Sequence, residues 1–249
     1  MGRPSASLKS INLKLQEKIL QKVTLKNLLA SIGALALTLL LIQLYSWHRV
    51  ERSRFSNYST SIDGTPPLVM KGGDPYIRAL MRTITASEAN DPQPYTLLYG
   101  GDHVGDLSHH PDRCVPIVAG PNVGKCTTAA GRYQFINTTW DSMAKRYHPR
   151  PSGLLFWKTY SFEPEFQDAV VYAWLSDKQA WGVDLSKQLR QGKLNTVLRR
   201  LSGTWTSLGY GIENNSMTGY LPGIYQRMLR EELGKADRWK NGQSGIGNG

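Results

Sequence analysis

Cysteine is nearly absent from this chain of 249 residues: Cys114 and Cys126 are the only two. A disulfide-dense scaffold is thereby excluded, and so is a zinc site built on cysteines. Internal repeats are lacking, so solenoids and propellers are excluded as well. Histidine occurs five times; no two stand four apart on a helical pattern, and neither a helical metal pair nor a nucleophile motif around Ser or Cys appears. No metal and no organic cofactor is expected. Acidic residues are outnumbered, with 19 Asp and Glu against 30 Lys and Arg and a net charge of +11. The excess is uneven. Residues 1–54 hold nine basic side chains against Glu17 and Glu51, and the remaining residues are only mildly basic. With no recognition motif to accompany it, this distribution argues against a nucleic-acid binder and for membrane topology signals.

Those signals flank the one long stretch without charge, Leu28 to Trp47, 20 residues that suffice to span a bilayer core of about 30 Å. A cleavable signal peptide fits less well, because 27 residues precede the run and no small-x-small site follows Tyr45-Ser46-Trp47. The expected order is a cytoplasmic basic segment (1–27), a transmembrane helix acting as signal anchor (28–47), a linker (48–73), a catalytic domain (74–234) and a disordered tail (235–249). The Ser, Thr, Asn and Pro content of 48–73 and the Gly-rich end carry the last assignments. On the far side of a membrane Cys114 and Cys126, with eleven residues between them in a Pro/Gly-rich loop, are candidates for a disulfide. Two free thiols are the alternative.

Within 74–234 helical signals dominate. Asp74-Pro75 is an N-cap followed by proline at the first helical position, and Ile77, Leu80, Met81 and Ile84 recur at helical spacing. Tyr95–Tyr99 reads as a short strand before Gly100-Gly101. Trp140, Met143, Ala144 and Tyr147 share one face of a second helix. Phe166–Trp174 is apolar enough to be a central helix, and residues 186–201 and 219–233 supply two more. The fold class is α+β, mainly helical with a small β-sheet.

Glu88 continues the apolar stripe 77, 80/81, 84. A carboxyl there, at the last turn of a helix, is disfavoured as an anion both by desolvation and by the helix dipole, which suits a general acid. The alternative is a solvated residue beyond the helix end. A conventional glycan hydrolase needs a second carboxylate. Asp91, Asp102 and Asp106 are nearest, each among turn-forming residues. His103, His109 and His110 read as exposed loop histidines. Gly131-Arg132-Tyr133-Gln134 and Gly209-Tyr210-Gly211 are polar-aromatic clusters in glycine contexts.

In this order the clusters resemble the phage lambda lysozyme family of lytic transglycosylases. The resemblance covers residues 75–232 and runs through Ala86-Ser87-Glu88, Gly100-Gly101, Ser108-His109-His110-Pro111, Ala130-Gly131-Arg132-Tyr133-Gln134, Phe166–Val170 and Leu201–Gly211. It implies a lysozyme-like domain with a saccharide groove and Glu88 as catalytic acid on peptidoglycan glycan strands. It further implies Gln134 and Tyr210, with Tyr133, Tyr95 and Gly131, as substrate-binding residues; for Tyr133 packing is the alternative. Two departures stand out: Thr96 replaces an acidic groove residue of the family, and the Cys114–Cys126 loop has no counterpart in its pattern.

Overall fold

The computed structural model describes residues 65–118, 120, 122–153, 159–211 and 216–244. The expected cytoplasmic segment 1–27 and membrane span 28–47 lie outside them. Among the described residues no helix is long and apolar enough to cross a membrane.

The first helix, α1 (Pro75–Glu88), starts where expected. The Asp74 carboxylate accepts from the Tyr76 N–H at 2.8 Å, and Pro75 gives up no N–H that the helix needs. It ends where Ala89 leaves helical geometry at φ −142° and ψ 63°. Every residue from Ile77 to Ala86 is buried, so α1 is enclosed on all sides and holds the central place that the sequence assigned to Phe166–Trp174. That stretch lies in α3 (Pro164–Ser176), which buries Gln167, Asp168, Val170, Val171 and Leu175 and leaves Trp174 partly exposed.

Around α1 stand α2 (Asn137–Tyr147), α3, the short α4 (Lys178–Trp181), α5 (Leu185–Arg190), α6 (Leu194–Leu201) and α7 (Leu221–Ser244). In α2, Trp140 and Ala144 enter the core, and the Trp140 ring meets Phe162 edge-on at 4.7 Å. The single helix expected over 186–201 is two. Gly192, at φ +73°, breaks it, and Lys193 N bonds back to Gln188 O at 3.0 Å. The last helix runs past its expected end, so residues 235–244 are helical and not a disordered tail. Leu221, Ile224, Tyr225, Met228 and Glu232 form its buried stripe.

Among the described residues the β structure is one antiparallel pair, β1 (Val115–Pro116) and β2 (Cys126–Thr127), plus isolated bridges that link Leu97 to His103, Leu98 to Ala130, Ala130 to Phe135 and Ser152 to Thr159. Cys114 and Cys126 are joined by a disulfide at the base of this hairpin. The expected strand over Tyr95–Tyr99 begins instead as a 3-10 turn, Pro94–Thr96. Proline fixes φ and offers no N–H to a ladder.

Residues 65–73, expected to be linker, are a strap docked on the domain. Thr65 and Leu68 are buried. Arg82 donates to Thr65 O (3.0 Å), Arg78 to Met70 O and Gly72 O (both 2.9 Å), and Arg132 to Pro66 O (2.5 Å) and Pro67 O (3.1 Å). Asp168 takes the Val69 and Met70 N–H groups at 2.8 and 3.1 Å. The folded unit thus reaches back to Thr65, not Asp74.

Candidate active site

Glu88 is the last residue of α1 and the point at which the helix surfaces. Ala86 is 1% exposed, whereas Ser87 and Glu88 are half-buried. The carboxyl Oε1 accepts from the hydroxyl of Ser207, which sits in a 3-10 turn, Thr206–Leu208. Ser207 Oγ also lies 3.1 Å from Ser87 Oγ, and Ser87 donates to Ile84 O at 3.0 Å. One turn earlier the buried Arg132 donates Nε to Thr85 Oγ1 at 2.8 Å. The end of the helix is therefore pinned from two directions. The sequence offered no local sign of Ser207, which reaches Glu88 across 119 positions.

Gln134 and Tyr210 lie on two segments that one bond ties together. The Trp205 indole donates to Tyr133 O at 3.1 Å, tying the segment that carries Ser207 and Tyr210 to the turn that carries Gln134. Gln134 is half-buried, and its amide nitrogen donates to Leu97 O (3.3 Å) and Gly131 O (2.9 Å). Tyr210, also half-buried, donates to Asn195 at 3.3 Å and lies under the Arg199 guanidinium, 5.2 Å from its ring centre. Burial pushes its hydroxyl above the ordinary range, with Arg199 opposing. Both residues have positive φ, 48° and 67°. Among the described residues Asp112 is the only other non-glycine that does so. Side chains adopt this conformation at a cost, and such outliers gather at functional sites.

Three expected groove residues prove to be interior. Tyr95 and Tyr133 are 2% and 1% exposed, and each gives its hydroxyl hydrogen to Asp168 at 2.7 Å. Burial, together with that carboxylate, pushes both phenols well above their ordinary range. No sugar reaches rings so enclosed. Gly131 is buried too. Its φ is +73°, and a Cβ there would stand 2.7 Å from Phe162 and collide with Gln167. It shapes the turn that presents Gln134 and does not itself face a ligand.

Of the three nearby acids, two are engaged locally through their side chains. Asp91 accepts from Gln93 N at 2.6 Å and lies 3.6 Å from His103 Nε2. Asp106 accepts from Ser108 N at 2.9 Å, which holds it below the usual carboxylate range. Asp102 is exposed, and its backbone carbonyl accepts from Leu98 N. Of the histidines, His103 and His109 are exposed as expected. His110 is buried, with Nε2 donating to Phe135 O and Nδ1 accepting from Asp112 N. Burial depresses its basicity. Among the described residues no group of His, Cys, Asp and Glu is placed to hold a metal.

Two solved structures of lysozyme from bacteriophage lambda, one complexed with a chitohexasaccharide, are similar to this chain at 22% and 21% identity. Each likeness covers 66% of this chain and 97% of the lysozyme, with a TM-score of 0.45. Among curated proteins nothing matches. The family model described as Endolysin matches residues 78–229, more than half of the chain, from within α1 to within α7. The chain belongs to the Endolysin family.

Proposed function

We propose that the enzyme is a lytic transglycosylase in which Glu88 acts first as acid and then as base. Its proton passes to the glycosidic oxygen between N-acetylmuramic acid and N-acetylglucosamine. The resulting carboxylate takes the proton of the muramyl C6 hydroxyl as that oxygen bonds to C1. One C–O bond breaks, one forms, and no water is consumed. The nucleophile belongs to the substrate, so one carboxyl suffices and intramolecularity supplies much of the acceleration. The observation that carries this reading is the half-buried Glu88 at the end of an otherwise buried helix. Asp91 and Asp106 are meanwhile engaged in their own turns. Gln134 and Tyr210 supply the adjacent polar and aromatic groups for sugar hydroxyls and faces.

Residues 28–47 are proposed to hold this domain on the cell-wall side of the cytoplasmic membrane, with 1–27 inside. The uncharged run and its basic flanks support that placement. A disulfide-bonded hairpin suits an oxidising space.

The test is mass spectrometry of muropeptides released from purified peptidoglycan. Products one water lighter than reducing muropeptides are expected, with none above background for Glu88→Gln. Reducing ends would move the reaction to hydrolysis, and lysis by Glu88→Gln would remove Glu88 from the mechanism.

A further inference from the structure

The contact between Ser207 and Glu88 has a hydrogen-counting consequence. A serine hydroxyl carries one hydrogen. That of Ser87 is directed at Ile84 O, 3.0 Å away. That of Ser207 has two acceptors within reach, Ser87 Oγ at 3.1 Å and Glu88 Oε1. While Glu88 is neutral, the two are acceptors of comparable strength. Once it is a carboxylate, Oε1 becomes the stronger by roughly twofold.

The last turn of α1 has no basic residue, and the turn Thr206–Leu208 has no ionisable one. Beyond them are Arg132, which reaches Thr85; the Asp91–His103 pair past the helix end; and Arg199 over Tyr210.

We infer that Ser207 is a positioning residue whose hydroxyl turns from Ser87 to Glu88 Oε1 as Glu88 releases its proton. Seating Oε1 in this way fixes the direction in which the carboxyl is held. It also steadies the carboxylate that must next accept a proton from the sugar. The inference rests on Glu88 being the acid–base group.

The experiment measures initial rates of muropeptide release by the full chain at low substrate across pH, for Ser207→Ala and Ser207→Thr. At low substrate the alkaline limb reports the acid of the free enzyme. A donor to the carboxylate favours its charged form, so removing that donor raises the pH at which the acid is lost. Ser207→Ala is expected to move the alkaline limb upward by about one pH unit and to lower the plateau about tenfold. Ser207→Thr, which keeps the hydroxyl, is expected to return the limb to its original place. A lower rate with an unmoved limb in Ser207→Ala would overturn the inference, because a purely packing role leaves the limb alone. Thermal unfolding of each variant is recorded alongside; should the threonine methyl prevent folding, the alanine limb decides. Glu88→Gln separates the two levels. If it still cleaves, the acid–base reading fails; if it is inactive while the Ser207→Ala limb stays put, only the role of Ser207 falls.

Discussion

Asp168→Asn changes no volume and should still cost the domain about 3 to 4 kcal/mol, from four hydrogen bonds and one charge. Oδ2 accepts from Val69 N, Met70 N and Tyr95 OH, and Oδ1 accepts from Tyr133 OH. An amide keeps one oxygen. Placed at Oδ2, it retains three bonds but as neutral ones, each weaker by about 1 kcal/mol. Its NH2 then faces Tyr133, whose hydroxyl must turn round to accept. Arg132 adds to the loss, because it reaches Asp168 through Tyr95 at 3.1 and 2.7 Å and would keep a buried charge with its nearby anion gone. Urea unfolding of residues 59–249, followed by tryptophan fluorescence, gives the stability difference. Limited proteolysis gives the location, with cleavage expected to appear between 65 and 73. A loss below about 1 kcal/mol would refute the reasoning, since it would mean that the carboxylate's charge contributes nothing beyond an amide.

Glu232→Gln should cost a comparable 3 to 5 kcal/mol, roughly, because it leaves Arg78 and Arg82 buried against a neutral group, with only Glu231 remaining for Arg82. Burial pushes the Glu232 carboxyl up, but Arg78 and then Lys235 outweigh it and hold it below its ordinary 4.5. Its contribution is therefore present above that value and is lost as pH falls through the lower folded one. The difference in thermal midpoint between the two proteins should shrink in acid below about pH 4.5; a constant difference would show that the ionised pair is not its source. Deleting residues 28–47 should release the protein from sedimented membranes without abolishing wall cleavage by the liberated domain. Unchanged sedimentation after an alkaline wash would refute the anchor.

The sequence made α1 visible at both ends, through Asp74-Pro75 and the spacing of Ile77, Leu80, Met81 and Ile84. It did not reveal that the opposite face is buried as well. Arg78 and Arg82 look like the solvated side of an amphipathic helix until Glu231 and Glu232 are brought to them from about 150 positions away. The same distance problem hid Asp168 as the partner of Tyr95 and Tyr133, which were candidates for substrate binding. Gln134 and Tyr210 were legible as site candidates. Their positive φ was not, because non-glycine residues in that conformation carry no compositional mark. Gly192 was missed for the converse reason: a lone glycine inside a helical pattern is tolerated often enough to be read through.

The strap explains why three arginines lie in the interior of a domain that could have packed leucines there. Thr65-Pro66-Pro67 cannot join a sheet or a helix through its prolines, which have no N–H. Yet the segment is buried, and its carbonyls need donors. A backbone ladder is unavailable, so the donors come from side chains, and arginine brings five in one rigid group. Arg82 and Arg132 serve residues 65–67, and Arg78 serves Met70 and Gly72. Each buried cation then needs an anion, which Glu232 provides by direct contact and Asp168 through Tyr95. Arg132 ties this skeleton to the helix end, because its Nε holds Thr85 while its terminal nitrogens hold Pro66 and Pro67. The helix end that presents Glu88 and the strap at the N-terminal edge of the domain are thus fixed to one guanidinium. The direction in which Glu88 is presented is set by charge-assisted bonds as much as by the packing of α1.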